Sequence, residues 1–442
     1  MDSVLGLSRF MMYGIKVSVS VSNRTRLIDQ HLVKEIGIVV SNLCACVRNG
    51  RALRYSRDTK HSGVSRYNKK GISTKKIIKA IDVLEREGYV LNTIASKNQD
   101  PRFKRVNSSL LPTQKFIDVF CADNSSLLFA EESYYDAEEV VILRDSDKND
   151  VDYNDCEKSN NARDVVVKLN NQSRCHLFVD YAGECFENKY VRIFNRGDMT
   201  FNSGGRFYRS DIQNMPNNDN QRLHMSINGD SVVEVDFSNL HIRLLADLHC
   251  VSMELYKIED LYLLPFCGEL PSSDDRWIIK QAVNIMLNST SERSATQAIN
   301  MVIRTNLNKT FMYNKGRDIV ELVKNSYKWL KDDFCQKESR GHYLMNIDSM
   351  IASHVVEDFI NTQQAICIIH DSFVVQSKNR DKLVSAMAHS YVKVVELERT
   401  NKHPQPEHSH DISVHMKVKW IDKSNETRHR LCEESIIARE SL

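Results

Sequence analysis

The sequence predicts an α+β protein with a small front part and a larger second part, and three observations predict it. Charge is unevenly spread over the 442 residues, with 51–106 basic and 131–164 acidic, so the front reads differently from the rest. From about 165 to 425, strand-like and helix-like stretches alternate, the pattern of an α+β domain. Two short apolar runs in that second part lead into aspartates, VVEVDF at 232–237 and AICIIHD at 365–371. Composition sets the outer limits. Hydrophobic residues make up 41% and charged residues 27%, a globular composition. No apolar run reaches the roughly 18 residues of a membrane span, and the N-terminus lacks a basic stretch followed by a continuous apolar one. The eleven cysteines are scattered without a CxxC pair, which points to reduced thiols and a cytoplasmic location rather than a disulfide frame or zinc site. The expected division is 1–125, an acidic linker or insertion over 126–165, a catalytic domain over 166–430 and a tail over 431–442.

In the front part, GISTKKIIKAIDVLEREGYV predicts a helix over about Ser73–Glu87. Ser73 is the candidate N-cap, Ile77, Ile81 and Leu84 recur at helical spacing, and Gly88 stops the helix. YVLNTIA alternates as a strand does, SKNQDP is turn-like and RFKRV reads as a returning strand. This order resembles a winged helix-turn-helix over roughly residues 30–120, with Lys75, Lys76 and Lys79 on the recognition helix. The resemblance implies nucleic-acid binding dominated by phosphate contacts, hence steeply salt-dependent. Such modules also serve as protein-interaction units.

In the second part, Val232–Phe237 is a β-branched strand, and Ser238 can cap a helix whose apolar face is Leu240, Leu244, Leu245 and Leu248. Asp236 is thereby held where strand meets helix. His370-Asp371-Ser372 lies between two apolar runs, as the tip of a tight hairpin does. Carboxylates on neighbouring strands, here Asp236 and Asp371, can hold two Mg²⁺ ions, with Mn²⁺ able to substitute. Between them, Arg276, Lys280, Asn284 and Asn288 recur every four residues and form one polar helical stripe, suited to clamping a triphosphate. An ordinary amphipathic helix gives the same stripe.

The order of these elements resembles the family A DNA polymerases. Gly205-Arg206, Gln213-Asn214-Met215-Pro216 and Arg222 precede Asp236-Phe237-Ser238 and Arg243 in the positions of motif A. Arg276 and Lys280 match motif B, and His370-Asp371 matches motif C. His370-Asp371-Ser372-Phe373 also matches the HDSF of the related single-subunit phage RNA polymerases. The resemblance covers roughly 190–425. It implies a palm with an antiparallel sheet and helical fingers, acting on a DNA or RNA template-primer with nucleoside triphosphates. It places two metals on Asp236, Asp371 and the Phe237 carbonyl, and the triphosphate on Arg276 and Lys280. Arg206, Gln213, Asn214, Arg222 and His370 would face the primer–template.

The pattern departs from the family at His241, where motif A has Glu, at Asn284 and Asn288, where motif B has aromatic residues, and at Ser372, where DNA polymerases have Glu. His241, Asn284 and Asn288 are the nucleotide-side positions that put sugar preference in question. An RNA polymerase or primase is therefore one rival reading, and a non-catalytic DNA-binding replication or regulatory protein with a degenerate palm is another. Other features carry less. His403, His408, His410 and His415 read as a surface loop, His249-Cys250 as packing, and Asp348 and Glu357 as solvent or helix-end residues. Gly204-Gly205 is too short for a dinucleotide site, and no GxxxxGK[ST] phosphate loop is present.

Overall fold

Two apolar stripes at helical spacing build the smaller of two units, which spans 1–139. α1 (Val33–Arg48) buries Ile36, Val39, Val40 and Leu43, and α2 (Thr74–Arg86) buries Ile77, Ala80, Ile81 and Leu84. They share a core with Leu53 of β1 (Leu53–Tyr55), Val90 of β2 (Val90–Thr93) and Leu110 of β3 (Ser108–Pro112). Phe116 of the short α3 (Gln114–Phe116) and Phe120 join the same core. The strands form an antiparallel sheet in the order β1-β3-β2. Ser73 stands at the N-cap of α2, but its side chain makes no capping bond. Gly88 takes a φ of 73°, a conformation that costs glycine nothing, and the chain leaves the helix there. The return strand expected at RFKRV lies outside the described residues; β2 pairs with Ser108–Pro112.

The structure is a computed structural model that describes residues 30–48, 52–55, 57, 65–67, 73–94, 108–121, 139–195, 199–215, 218–251, 258–266, 271–306, 308–337, 340–402, 412–422 and 430–440.

The larger unit spans 140–442. It begins inside the stretch expected as a linker, with β4 (Val141–Arg144), β5 (Asp150–Val151) and α4 (Glu157–Ser173). The density of charge around this stretch masks a short apolar run, Val140–Leu143, which is buried and pairs in parallel with β7 (Val191–Phe194). α4 likewise turns Val165, Val166 and Leu169 inward and leaves Asp164 exposed. With β8 (Gly204–Tyr208) these strands make a four-stranded sheet, β5-β4-β7-β8.

The central sheet is antiparallel and runs β11-β12-β10-β13-β14, with the short strands β6 (Phe178–Val179) and β9 (Ser226–Ile227) attached beside β10. β10 (Asp230–Phe237) lies between β12 (Ser372–Gln376) and β13 (Ile412–Asp422). Val232, Val233, Val235 and Phe237 are all buried, so the strand reads as an apolar run rather than an alternation. β11 (Cys367–Ile369) and β14 (Arg430–Glu440) close the two ends. β14 pairs with β13 from Arg430 to Glu440, so the expected tail is a strand, held by backbone hydrogen bonds rather than by burial of its side chains. Among the described residues six further helices belong to the unit: α5 (Leu240–Leu248), α6 (Ser273–Asn288), α7 (Glu292–Thr305), α8 (Gly316–Ser326), α9 (Arg340–Asn361) and α10 (Arg380–Lys402). α10 packs on β10, β12 and β13, and α6, α7 and α8 pack on one another. The fold class is mixed α and β with mainly antiparallel sheets, as the sequence predicts at that level. No described helix is long and apolar enough to cross a membrane.

Candidate active site

Sheet register brings the two aspartates together. Asp236 on β10 pairs with Ser372 on β12, so Asp371, one residue earlier, lies at the same end of the sheet. Asp371 belongs to the two-residue tip joining β11 to β12, closed by the pair Ile369–Ser372. His370 opens that tip with a φ of 61°, a left-handed conformation of the kind tight hairpins use at this position. The Phe237 N–H donates to the Asp371 carbonyl at 3.3 Å, tying the tip to β10. The helix after β10 is capped differently from the expectation. Asn239, left-handed at φ 56°, takes the N-cap position without a side-chain capping bond, and the Ser238 N–H donates to the His415 carbonyl at 2.9 Å.

Burial pushes the Asp236 carboxyl well above the usual carboxylate range, and nearby Asp371 and Glu234 push it the same way against Lys280 and Lys419. Among the described residues neither Asp236 nor Asp371 has a cation at ion-pair distance. The contrast within the unit is plain. Asp247 accepts from the Tyr391 hydroxyl at 2.6 Å, and Asp333 holds His249 at 2.5 Å and Arg340 at 2.6 Å. Glu234 accepts from the Ser372 hydroxyl at 2.6 Å and pairs with Arg222 at 3.3 Å. An uncompensated carboxylate beside a second one is costly for folding and is found where charge is needed for a ligand.

The facing wall is α6. Ser272 accepts from the Asp275 N–H at 3.1 Å, and the Asp275 carboxylate accepts the Ser272 N–H at 3.1 Å. This capping box fixes where the helix starts, and Ile278, Ile279, Val283 and Met286 fix which face turns inward. Arg276, Lys280, Asn284 and Asn288 then project into the cleft of about 670 Å³ that Asp236, Phe237 and Asp371 also line. Arg276 is hydrogen-bonded to Asp260, and Arg276 and Lys280 lie 5.7 and 6.0 Å from the centre of the Tyr262 ring.

A third group reaches the same cleft. Arg206 and His241 line it, and both bind Asp348 of α9. The Arg206 Nε donates to the two Asp348 oxygens at 3.0 and 2.9 Å, and His241 Nε2 lies 2.9 Å from Asp348 Oδ2. Burial opposes the charge on Arg206, and Asp348 more than offsets it, so the guanidinium is held charged. Asp348, expected as a solvent or helix-end residue, is 3% exposed in the middle of α9. Gly205 places Arg206: at φ 97°, any Cβ there would meet the Phe194 ring at 2.7 Å and the Ser349 hydroxyl at 2.9 Å. Gly204-Gly205 is thus a close approach between β8 and α9.

The remaining expected residues lie elsewhere. Gln213 does not line the cleft; its Nε2 donates to the carbonyls of Phe207 and Ile368 at 2.9 and 3.1 Å. Asn214 is exposed beside it, and Arg222 is taken up by Glu234. His370 packs edge-on against Tyr208 at 5.6 Å, and its buried Nδ1 has no hydrogen-bond partner among the described residues. Lys75, Lys76 and Lys79 are exposed on α2 of the smaller unit. His415, expected in a surface loop, is 4% exposed within β13, whereas His403, His408 and His410 lie outside the described residues. His249 is paired with Asp333 rather than packed. Glu357 is half-buried beside His354 at 3.1 Å.

Sequence reasoning missed Asp348, Asp260, Tyr262 and Lys417. Asp348 had a signal, since an Asp amid NIDSMIASHVV cannot face an apolar core without a partner. Lys417 reaches the cleft through sheet register, and Asp260 and Tyr262 through tertiary contacts with α5 and α6, none of which leaves a local mark.

Among the described residues no group of three or more His, Cys, Asp and Glu is placed to hold a metal. Four carboxylates line the cleft; Asp260 is taken up by Arg276 and Glu259 belongs to the same segment, which leaves Asp236, Asp371 and the Phe237 main chain as the oxygen donors at the end of the central sheet. A sparse, oxygen-only set suits Mg²⁺, which retains waters and substrate phosphates as its other ligands. The mutual crowding of Asp236 and Asp371 is the condition a divalent cation relieves. No family model and no curated protein matches the chain.

Proposed function

We propose that the larger unit is a template-directed nucleotidyltransferase of the polymerase-palm type, which adds nucleotides to a nucleic-acid strand. One observation carries the reading: two unpaired aspartates, one on β10 and one at the hairpin tip beside it, share a cleft with a helix face bearing Arg276 and Lys280. The resemblance of motif order to the family A DNA polymerases supports the same reading. Asp236, Asp371 and the Phe237 carbonyl would hold Mg²⁺, which when bound activates a strand's 3′-hydroxyl and steadies the departing pyrophosphate. Arg276 and Lys280 bind the polyphosphate and offset its charge. The sheet fixes the spacing of the two carboxylates, so little reorganisation is needed when substrate arrives. Arg206, held charged by Asp348, supplies a further cation to a strand lying in the cleft.

The smaller unit is proposed to hold the nucleic acid, in the manner of a winged helix. Lys75, Lys76 and Lys79 stand exposed in the first turns of α2, where no acidic residue accompanies them. Cations at a helix N-terminus oppose the helix dipole, so this placement weakens the helix and favours a phosphate-binding role over a merely solvated face.

The test is strand extension by the full-length protein with Mg²⁺ on primed and unprimed DNA and RNA, with deoxy- and ribonucleotides supplied separately. Extension that disappears in Asp371→Ala is the expected result, and the nucleotide consumed identifies a DNA polymerase or an RNA polymerase or primase. Nucleic-acid binding without extension on any template would replace the reading with that of a non-catalytic binding protein.

A further inference from the structure

Segment 258–262 runs between the helix that follows Asp236 and the helix that carries the cleft's cations. Its main chain is gripped at three points. The Arg243 guanidinium of α5 donates to the carbonyls of Ile258 at 2.6 Å and Glu259 at 3.0 Å. The Asn239 side chain, at the start of α5, donates to the Glu259 carbonyl at 3.3 Å. The buried Tyr327 hydroxyl donates to the Leu261 carbonyl at 2.7 Å. Arg243 is itself 5% exposed and the Tyr327 hydroxyl bond is buried, so two of the three gripping side chains are anchored in the interior.

The two side chains that follow point at α6. Asp260 accepts a hydrogen bond from the Arg276 Nε. Tyr262 is 4% exposed, lines the cleft and presents its ring to Arg276 at 5.7 Å and to Lys280 at 6.0 Å. Arginine and lysine side chains are long and rotamer-rich, and holding two of them over one face of a cleft is entropically unfavourable. A buried ring that attracts both cations, with a carboxylate fixing one of them, limits that freedom before any ligand arrives.

We infer that segment 258–262 is a positioning strut, in which Asp260 and Tyr262 aim Arg276 and Lys280 at the polyphosphate of an incoming nucleotide. The inference rests on the reading of the cleft as a nucleotide site. Neither Asp260 nor Tyr262 bonds to the reacting atoms; both act through the two cations. Because Arg243 and Asn239 belong to the turn and helix that follow Asp236, the strut also ties the placement of the cations to the end of the sheet where the aspartates lie.

The experiment measures binding of a non-hydrolysable nucleoside triphosphate with Mg²⁺, deoxy and ribo forms separately, to the full-length chain on a primed template. Tyr262→Leu, Tyr262→Phe, Asp260→Asn and Lys280→Ala are compared, with template affinity and thermal melting measured for each. The expected result is an about tenfold weaker triphosphate affinity in Y262L and about threefold in D260N, with template affinity and melting close to those of the parent. Y262F keeps the ring and should bind as the parent does, which a role for the hydroxyl would not allow. Parent-like triphosphate affinity in Y262L and D260N, with K280A weakened, would overturn the strut and leave the nucleotide site standing. Tighter binding in D260N would overturn it by making Asp260 a competitor of phosphate for Arg276. Unchanged binding in K280A would remove the nucleotide reading and the strut with it. Where Y262L fails to fold, D260N against the parent decides alone.

Discussion

Asp236 and Asp348 reach the same cleft, one directly and one through its partners, and their surroundings are opposite. Asp348 is buried and satisfied by Arg206 and His241. Asp236 is half-buried, faces Asp371 and Glu234, and among the described residues has no ion-pair partner. A carboxylate like Asp348 contributes to the fold by neutralising a buried cation. A carboxylate like Asp236 opposes the fold, and its retention calls for a function outside the folded chain. The two should therefore separate under mutation, one losing chemistry and the other losing stability.

The largest effect is expected at the pair. Asp236→Ala or Asp371→Ala should lower strand extension on the order of a thousandfold or more, as should chelation of divalent cations from the parent protein. Melting temperature in either mutant should stay level or rise, because like-charge repulsion has been removed. A mutant that loses extension because it unfolds would show that Asp236 and Asp371 support the fold as Asp348 does.

Asp348→Ala should show the reverse. It leaves the Arg206 guanidinium buried without its counter-ion, a change that costs about 3 kcal/mol of stability. Denaturant unfolding measures it, and Asp348→Asn should recover part of the loss by keeping an acceptor. Undiminished stability in D348A would mean that water reaches Arg206 and that the cluster is not the closed unit its burial indicates.

What was legible in the sequence follows from how each feature is encoded. Strand β10, its aspartate and the hairpin tip at His370-Asp371 are local patterns, and each lies where it was read. So does the stripe of α6, because a period of four residues on a helix needs only the helix itself. The Asp348 cluster draws on β8, α5 and α9, and the strut around Tyr262 on α5, segment 258–262 and α6; only tertiary folding brings these together. The misplaced linker has a different cause. Net charge over 131–164 hid Val140–Leu143, a run short enough to be outvoted and apolar enough to be a buried strand. The tail was missed because β14 is an edge strand whose side chains stay largely exposed, so it carries little of the burial signal on which periodicity depends.

The smaller unit carries an opposition of charge of its own. Lys75, Lys76 and Lys79 oppose the dipole of α2 much as Asp236 and Asp371 oppose each other. Replacing all three by Ala should weaken nucleic-acid binding and lower its salt slope by about three, while the melting temperature holds or rises slightly. An unchanged salt slope would assign α2 to protein contacts instead. Extension on a saturating primed template should stay close to that of the parent, since the lysines lie outside the cleft.

The smallest predicted difference tests how far a local signal can be trusted. Ser73 and Ser272 each precede a helix and each occupies its N-cap, yet only Ser272 accepts a hydrogen bond there, from the Asp275 N–H at 3.1 Å. The third helical residue distinguishes them. Asp275 can reach back to the Ser272 N–H, and its negative charge suits the helix N-terminus. At the same position α2 has Lys76, which can do neither. Ser272→Ala should therefore cost about 1 kcal/mol in denaturant unfolding, and Ser73→Ala only a few tenths. Equal costs would show that Ser73 caps α2 in solution, and would weaken the argument that this helix gives up stability to keep its lysines.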